Sequence, residues 1–559
     1  MPIETSQSAS HEADDRSSTL LLSGRPLDLR SYAAVLSGRL QLDISSSADL
    51  PGRLQKSEQV VLDAVKNRES IYGVTTGFGG MADDPVPTEM ASQLQDNLLN
   101  FLSAGLGDPI PGDHVRGAML LRANVLLQGR SGIRFEWIER LVHFLQRGAT
   151  PVVFEHGSIG ASGDLVPLAS IARAITGHHK ATDVDFDGQR LSSHEVLQRL
   201  GLSPCPLQAK EGLALINGTS FSAAIAANTL VRFQKLFSIS LAIQAMLLRA
   251  QLAHEQPFES FVHDCKPHPG QRWVARVLLE MMTDGAEKIE IRNQPVQDRY
   301  SVRCAPQYLG SHAEGIVRLI RMVEIEMNAV SDNPLVDVER GQLVQSGNFL
   351  GQYLGVGMDE LRRLIALTAK HLDIQIAHLV APEFNGGLPA SLRGNDENRV
   401  NMGLKGLQIS GNSIVPMLLQ QAAPLVEHFP TYAEQFNQNI NGLSWGSSCL
   451  AWKSSHLFSD YLAIATLFAI QASDLRAQQL YGNYDGRRLL GSRLVPLYEA
   501  SLEVLGISPG TGLPYLFNDG DRFLEHDLAK LATAIRNSDS FSATLEPLID
   551  SLENELEQT

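Results

Sequence analysis

Cysteine is scarce in this chain: four in 559 residues, Cys205, Cys265, Cys304 and Cys449, widely spaced and with no CxxC pair. That leaves no cysteine zinc pattern and suits a reducing, cytoplasmic setting. Basic residues are outnumbered, with 46 Lys and Arg against 62 Asp and Glu and a formal net charge of -16. Nucleic acid and anionic membrane both call for a basic surface, so neither is expected as a partner. No Gly-Lys dipeptide occurs, which removes the Walker A phosphate loop, and no HExxH occurs, which removes the commonest zinc-protease pattern. Gly160-Ala161-Ser162-Gly163-Asp164 lacks the last glycine of a nucleophile elbow, and Gly157, Gly160 and Gly163 stand three apart, unlike a dinucleotide fingerprint. His178-His179 has no carboxylate or further histidine at ligand spacing, so no metal is expected. Internal repeats, low-complexity runs and a secretory h-region are also missing; residues 1–19 are polar, of mixed charge, and read as a disordered tail.

What the chain has in quantity is helical periodicity. From about residue 90, Met90–Leu106, Val115–Leu127, Phe135–Arg147 and Leu168–Thr176 repeat apolar residues at three- and four-residue spacing. Beyond residue 210 the segments lengthen: Gly212–Glu255, Gly310–Ala329, Gly351–Leu379 and Ser447–Leu475 predict long, possibly broken helices. Leu213–Leu252 is the most apolar tract, but Asn217, Arg232, Lys235 and Arg249 interrupt it, so it reads as a buried core helix and not a membrane span. Short strands are expected at Leu20–Asp28, Val152–Glu155 and Val184–Gly188, and breaks at Cys265–Gln271, Ser331–Pro334, Glu383–Pro389 and Asn439–Gly446. The expected organisation is mainly α. An N-terminal region spans residues 20–210, a central long-helix bundle 211–480 and a C-terminal helical layer 481–559.

The most informative stretch is Gly157-Ser158-Ile159-Gly160-Ala161-Ser162-Gly163-Asp164-Leu165-Val166-Pro167-Leu168. Its tripeptide Ala161-Ser162-Gly163 can cyclise on itself. The Gly163 nitrogen attacks the Ala161 carbonyl, and loss of two waters leaves a five-membered ring with a methylidene derived from Ser162. This methylidene-imidazolone (MIO) is an electrophile that no standard side chain supplies. Glycine tolerates the contorted backbone, serine provides the hydroxyl to eliminate, and alanine keeps the ring accessible. Asp164 and Pro167 read as cap and first-turn proline of the adjoining helix. A second glycine-rich stretch, Gly73-Val74-Thr75-Thr76-Gly77-Phe78-Gly79-Gly80, reads as a mobile lid spanning residues 72–87.

Taken together and in order, these motifs resemble the aromatic amino acid lyase family of MIO-dependent ammonia-lyases, over about residues 20–540 and in its bacterial form. The resemblance implies a fumarase/aspartase-like helical architecture and a homotetramer of D2 symmetry whose sites draw on three subunits. It implies MIO as the built-in prosthetic group, with no metal or nucleotide. It assigns Tyr72 in Ile71-Tyr72-Gly73 as the base for the substrate β-proton. Asn217, expected at the start of the first long helix, would contact the MIO and the amino group. In Gln297-Asp298-Arg299-Tyr300-Ser301-Val302-Arg303, Arg303 would clamp the carboxylate through paired hydrogen bonds, with Tyr300 a second active-site tyrosine and Gln297 a supporting polar group. Phe349 would pack beside the ring, Lys405 would line the pocket, and Glu434 and Gln438 would form its polar wall. Cys265–Gln271 and Ser331–Pro334 are family-like but read as structural turns.

The segment Asn97–Leu102 aligns with the part of the family that touches the substrate ring. Phe101-Leu102 stands where tyrosine-selective members place His-Leu and histidine-selective ones Ser-His. Burying a hydroxyl unpartnered against Phe101 costs about 1–3 kcal/mol. The implied reaction is therefore non-oxidative deamination of L-phenylalanine to trans-cinnamate. Tyrosine and histidine deamination, a phenylalanine 2,3-aminomutase and a non-catalytic helical scaffold are the alternatives. Tyr432 and Gly442-Leu443-Ser444-Trp445 depart from the family pattern close to the polar wall.

Overall fold

The computed structural model describes residues 19–47, 49–289, 295–428, 431–510, 512–537, 541 and 544–557. The tail expected over residues 1–19 lies, Thr19 apart, outside the described residues. Four long helices make the centre: Ser220–Ala250, Ala305–Asn328, Gln352–Leu379 and Ser444–Tyr481, each packed against its neighbours in one bundle. The first and last are 31 and 38 residues long, or about 46 and 57 Å. Both are buried almost all round, which is why their apolar residues form no single stripe. Polar side chains inside them stay satisfied by bonding back one turn, as Ser238 Oγ does to the Gln234 carbonyl at 2.9 Å and Thr466 Oγ1 to that of Leu462 at 2.8 Å. The Ser220 helix is, among the described residues, the one helix long and apolar enough to cross a membrane, and the bundle buries it as expected.

Smaller elements surround this core. Helix Lys405–Gln421 flanks the Gln352 and Ser444 helices, Pro269–Thr283 packs on Ala305–Asn328, and Gly112–Leu126 packs on the Ser220 helix. C-terminal helices Val495–Leu505, Leu524–Asn537 and Glu546–Glu557 cover the bundle. The sheets are small: a parallel pair Thr19–Leu22 with Gln41–Ile44 and an antiparallel pair Leu106–Pro109 with Phe154–His156. Strands Thr150–Pro151, Asp183–Phe186 and Gln189–Ser192 form a third, and Leu335–Asp337 with Gln342–Val344 a hairpin.

Several sequence expectations change. The strand expected over Leu20–Asp28 stops at Leu22, because the chain turns at Gly24 and Asp28 caps helix Leu29–Leu36, its carboxylate accepting from the Ser31 N–H at 2.7 Å. Helix Ala91–Phe101 ends five residues short of Leu106, since Leu106 opens a strand. Helical structure also starts earlier than residue 90: Asp49–Lys66 is a helix with Leu50, Leu54, Val61 and Ala64 buried on one face. Pro51 and Gly52 near its start obscure the signal, although proline is tolerated in a first turn. The long Gly212–Glu255 segment breaks into Glu211–Ile216 and Ser220–Ala250.

The first of these two helices is held at its start by a buried ion pair. Lys210, just before the short helix and in left-handed conformation (φ 70°), sends Nζ to Asp332 Oδ2 at 2.7 Å and to the Ser131 carbonyl at 2.9 Å. Both partners are fully buried, so Ser331–Pro334 is a turn with an electrostatic task. Removing one member of such a pair strands the other charge and costs about 3–5 kcal/mol. Lys210→Met should lower stability by about that amount in denaturant unfolding, and adding Asp332→Leu should recover much of the loss. A single variant as stable as the parent would contradict this.

Candidate active site

The Gly157–Asp164 loop is where four helix starts meet. Asp164 stands at the head of helix Leu165–Thr176, yet its side chain does not cap that helix. Its carboxylate crosses to the start of the Ser220 helix, where Oδ2 accepts from Ser222 N–H and Oδ1 from Ser222 Oγ, each at 2.7 Å. Ser158 Oγ donates to the same Oδ1 at 2.9 Å. Burial pushes the Asp164 carboxyl upward, and these donors pull against it. Pro167 does sit in the first turn, as expected. The third and fourth helix starts reach the loop through main chain. The Gly351 and Gly442 N–H groups donate to the Gly160 carbonyl at 3.1 and 3.3 Å, and Leu443 N–H to that of Ile159 at 3.0 Å. Trp445 Nε1 secures the approach by donating to the Glu155 carbonyl at 2.5 Å. Gly442 to Trp445 therefore grip this loop and its approach. Each helix start carries about half a positive charge, so the loop lies in concentrated positive potential.

Gly163 adopts φ +71°, and a Cβ there would overlap the Gly218 backbone; Asp164 N–H donates to the Gly218 carbonyl at 2.8 Å. Only glycine fits on both grounds. Ser162 is half-buried beside a cleft of about 440 Å³ lined by Leu102, His156, Val166, Ala433, Gln438 and the tripeptide itself. Gln438 Nε2 donates to Ser162 Oγ at 3.0 Å, and Asn217 Nδ2 to the Ser162 carbonyl at 3.3 Å. Asn217 closes the short helix Glu211–Ile216 instead of opening the long one, and its Oδ1 is buried with no partner. Behind it, the buried Arg122 guanidinium donates to the Asn217 carbonyl at 2.9 Å and to that of Ala214. A small ring with a protruding methylidene fits this cradle: glycine at the contorted position, a cleft over Ser162, and an orphaned acceptor beside it.

The lid begins at Tyr72, whose Oη accepts from the Gly79 N–H at 3.0 Å. Burial raises the Tyr72 hydroxyl above its ordinary value, the Gly79 N–H opposes this, and the Glu434 carboxylate adds to it. A Cβ on Gly79 would overlap the Glu434 carboxylate, so the 433–438 loop and the lid lie in contact. Within that loop Glu434, Gln435 and Phe436 all have left-handed φ, of 55°, 49° and 66°, an uncommon run of strained non-glycine residues. Phe78 joins the lid to the ring-contacting segment: its ring lies 6.3 Å from Tyr72 edge-on and 6.0 Å from Phe101. Gln95 pins that segment in place, Nε2 donating to the Gly73 carbonyl at 2.8 Å and Oε1 accepting from Leu213 N–H at 3.0 Å.

One fold-built cluster resembles a metal site. Asp96 on the same helix meets His178 and His179, a carboxylate that sequence spacing could not reveal. His178 Nδ1, however, accepts from the Lys180 N–H at 3.1 Å. Its Nε2 lies 3.3 Å from Asp96 Oδ1 without a hydrogen bond of good geometry.

Within one chain the remaining predicted residues are elsewhere. Phe349 lies two residues before Gly351, at the tripeptide end of the Gln352 helix. Tyr300 and Arg303 form the short helix Tyr300–Arg303, tied to Gln375 on that same helix, about 36 Å from Gly351 at 1.5 Å per residue. Exposed Gln297 precedes this turn. Lys405 is also at that far end, since Leu404 N–H donates to the Ser391 carbonyl at 2.9 Å and Ser391 N–H to that of Val380 at 3.0 Å. The structure thus gathers Leu102, Asn217 and Gln438 around the tripeptide, links Tyr72, Phe101 and Glu434 to that end through the lid, puts Phe349 in the chain entering it, and places Gln297, Tyr300, Arg303 and Lys405 at the opposite end. Gln95, Arg122, Ser222 and Asp332 carry roles that the sequence does not announce. A buried arginine or glutamine inside an apolar run is the available signal.

Comparison with known proteins bears on family and fold. The profile described as aromatic amino acid lyase matches residues 27–491. The chain is 44% identical over 545 residues to the phenylalanine ammonia-lyase of Nostoc punctiforme, covering 96% of each protein. It is 39% identical to the aromatic ammonia-lyase of Loktanella atrilutea, covering 96% of this chain and 99% of that protein. Among solved structures, the phenylalanine aminomutase of Pantoea agglomerans superposes with a TM-score of 0.83 at 26% identity, over 93% of this chain and 99% of that one.

Behind the Asn217–Thr219 turn, burial pushes the Glu326 carboxyl up to about 7, with nearby Thr219 opposing. Its folded value then exceeds the ordinary 4.5, so the folded state binds the extra proton. Stability from this group is full below pH about 4.5 and falls as pH rises through about 7. Glu326→Gln should melt at the parent's temperature at pH 5 and above it at pH 8. Parallel melting curves across that range would contradict the assignment.

Proposed function

The chain belongs to the aromatic amino acid lyase family, and on that basis we propose that it deaminates L-phenylalanine to trans-cinnamate and ammonia without oxidation. The observation that carries the reading is Ala161-Ser162-Gly163 held at the meeting of four helix starts, with Gln438 on the Ser162 hydroxyl and Asn217 on its carbonyl. Cyclised to MIO, the tripeptide would supply an electrophile for the substrate amine, making it a better leaving group. Asn217 Oδ1, the unpartnered buried acceptor, is placed to take a hydrogen bond from that amine. Tyr72 removes the β-proton, the α-carbon loses its nitrogen, and the double bond of the acrylate forms between them. Tyr72 needs help, because burial and Glu434 both disfavour its phenolate. The Gly79 N–H on its oxygen and the positive helix starts push the other way.

Arg303 holds the carboxylate, with Tyr300 and Gln297 beside it and Lys405 at the pocket rim. These lie about 36 Å from the tripeptide in the same chain, so a second copy has to bring them. The Ser220, Gln352 and Ser444 helices run outward from the tripeptide and Ala305–Asn328 runs back. An antiparallel partner would therefore lay its far end over this Ser162. Exposed apolar residues on these flanks, among them Ile325 at 70%, Tyr353 at 70% and Ile409 at 67%, suit such an assembly, and we take it to be a homotetramer. All four cysteines are free, in keeping with a reducing cytoplasm.

Phe101 and Leu102 form the wall that meets the ring. Phe101 offers no partner for a para-hydroxyl, so phenylalanine should exceed tyrosine in kcat/KM by roughly ten- to a hundredfold, read from cinnamate and coumarate release side by side. Faster coumarate or urocanate release would overturn the substrate assignment, and β-phenylalanine as main product would make the enzyme an aminomutase. Ser162→Ala should abolish turnover and restore the full sequence mass, with the parent enzyme lighter by two waters. Substantial activity in that variant would rule out the MIO reading.

A further inference from the structure

The Tyr300–Arg303 helix is too short to orient itself. It has four residues, no side-chain cap, and only Val302 buried, whereas isolated helical turns are unstable. What holds it lies beneath, on the Gln352 helix. Gln375, fully buried, donates Nε2 to the Ser301 carbonyl at 2.9 Å. One turn earlier, His371 lies beside the same carbonyl, its Nε2 buried without a hydrogen bond of good geometry. The His371 ring is itself fixed. Its Nδ1 meets Gln244 Oε1 at 2.9 Å, and the Tyr308 ring stacks on it at 4.9 Å and 24°. The buried Gln375 amide is thus committed to one main-chain carbonyl, two residues before Arg303. Burying an amide there instead of apolar packing favours a unique geometry over raw stability. Above it the Arg303 guanidinium lies 4.7 Å from the Tyr300 ring centre, and its Nε is buried and unpartnered. Burial holds His371 down to about 4, so it stays neutral and adds no second cation to compete for an anion.

We propose that Gln375 is a positioning residue that holds the Ser301 carbonyl, and through it sets the Arg303 guanidinium for a substrate carboxylate. The inference rests on reading Arg303 as the carboxylate clamp. It predicts that loosening the anchor weakens recognition of the carboxylate alone, leaving the electrophile and the ring pocket intact.

The test uses two competitive inhibitors of the assembled enzyme: trans-cinnamate, which has a carboxylate and no amine, and 2-phenylethylamine, which has the reverse. Gln375→Met keeps the volume and removes the donor. It should raise the inhibition constant of cinnamate about tenfold, as expected for a lost buried hydrogen bond, and leave that of phenylethylamine unchanged. The near-ultraviolet absorbance of the MIO should also stay unchanged. If the Met variant fails to assemble, Gln375→Asn, which withdraws the amide from Ser301, carries the same expectation. Equal weakening of both inhibitors, or of neither, overturns the inference. Arg303→Ala separates the two levels: if it leaves cinnamate binding intact, the clamp reading fails. If it weakens cinnamate while the Gln375 variants do not, only the positioning role fails.

Discussion

The Asp164 carboxylate is the point on which the rest of this structure depends. It is fully buried, and three donors from two distant parts of the chain, the Ser158 hydroxyl and the amide and hydroxyl of Ser222, converge on it. A carboxylate in that position would be costly if any donor were missing. Their presence ties the loop carrying Ala161-Ser162-Gly163 to the start of the Ser220 helix. Once that tie exists, the Gly163–Gly218 approach and the Asp164 N–H to Gly218 carbonyl bond form with it, and Asn217 is delivered to Ser162. The tripeptide and its hydrogen-bonding partner are set by one buried anion among helix starts that favour negative charge.

A second layer of buried charge supports the first without touching the cleft. Lys210 with Asp332 fixes the start of the short helix that Asn217 ends, and Arg122 takes the carbonyls at its close. A six-residue helix has little stability of its own. Gripping it at both ends by cations is a physical reason for such costly groups inside a hydrophobic bundle. At the other end of the molecule a four-residue helix is tied by Gln375. In both places a candidate functional side chain sits on a short helical fragment, and long helices supply the rigidity.

How much of this is legible in the sequence divides along physical lines. Long helices are legible because their apolar spacing is local, and the tripeptide is legible because its chemistry lies in three adjacent residues. The break at Asn217-Gly218-Thr219 is only half visible: sequence places Asn217 at a helix start, whereas it ends one helix just before another begins. Asp164 reads as the cap of its own helix because the residues next to it are the only partners that sequence displays. Its actual partner, Ser222, is 58 positions away. Gln95, bridging Gly73 and Leu213, and the Asp96–His178 contact are hidden for the same reason. A polar residue inside an apolar run shows that a partner is needed and does not show which one.

The length of the central helices explains the remaining feature, the separation of the candidate site into two halves. Tripeptide, lid and ring wall cluster at one end of the Gln352 helix, and Arg303 and Lys405 at the other. No side-chain rearrangement closes about 36 Å, and a rigid bundle of this burial cannot fold back on itself. In the proposed function, a chain that keeps both halves on the same long helices would complete its site by antiparallel association. Any copy that lent its Arg303 end would then have its own tripeptide at the far end of the contact, ready for the reciprocal exchange. The symmetry of the proposed assembly would in this sense follow from helix length, and the exposed Tyr300, at 73% of its surface in the single chain, is on the face that such an exchange would cover.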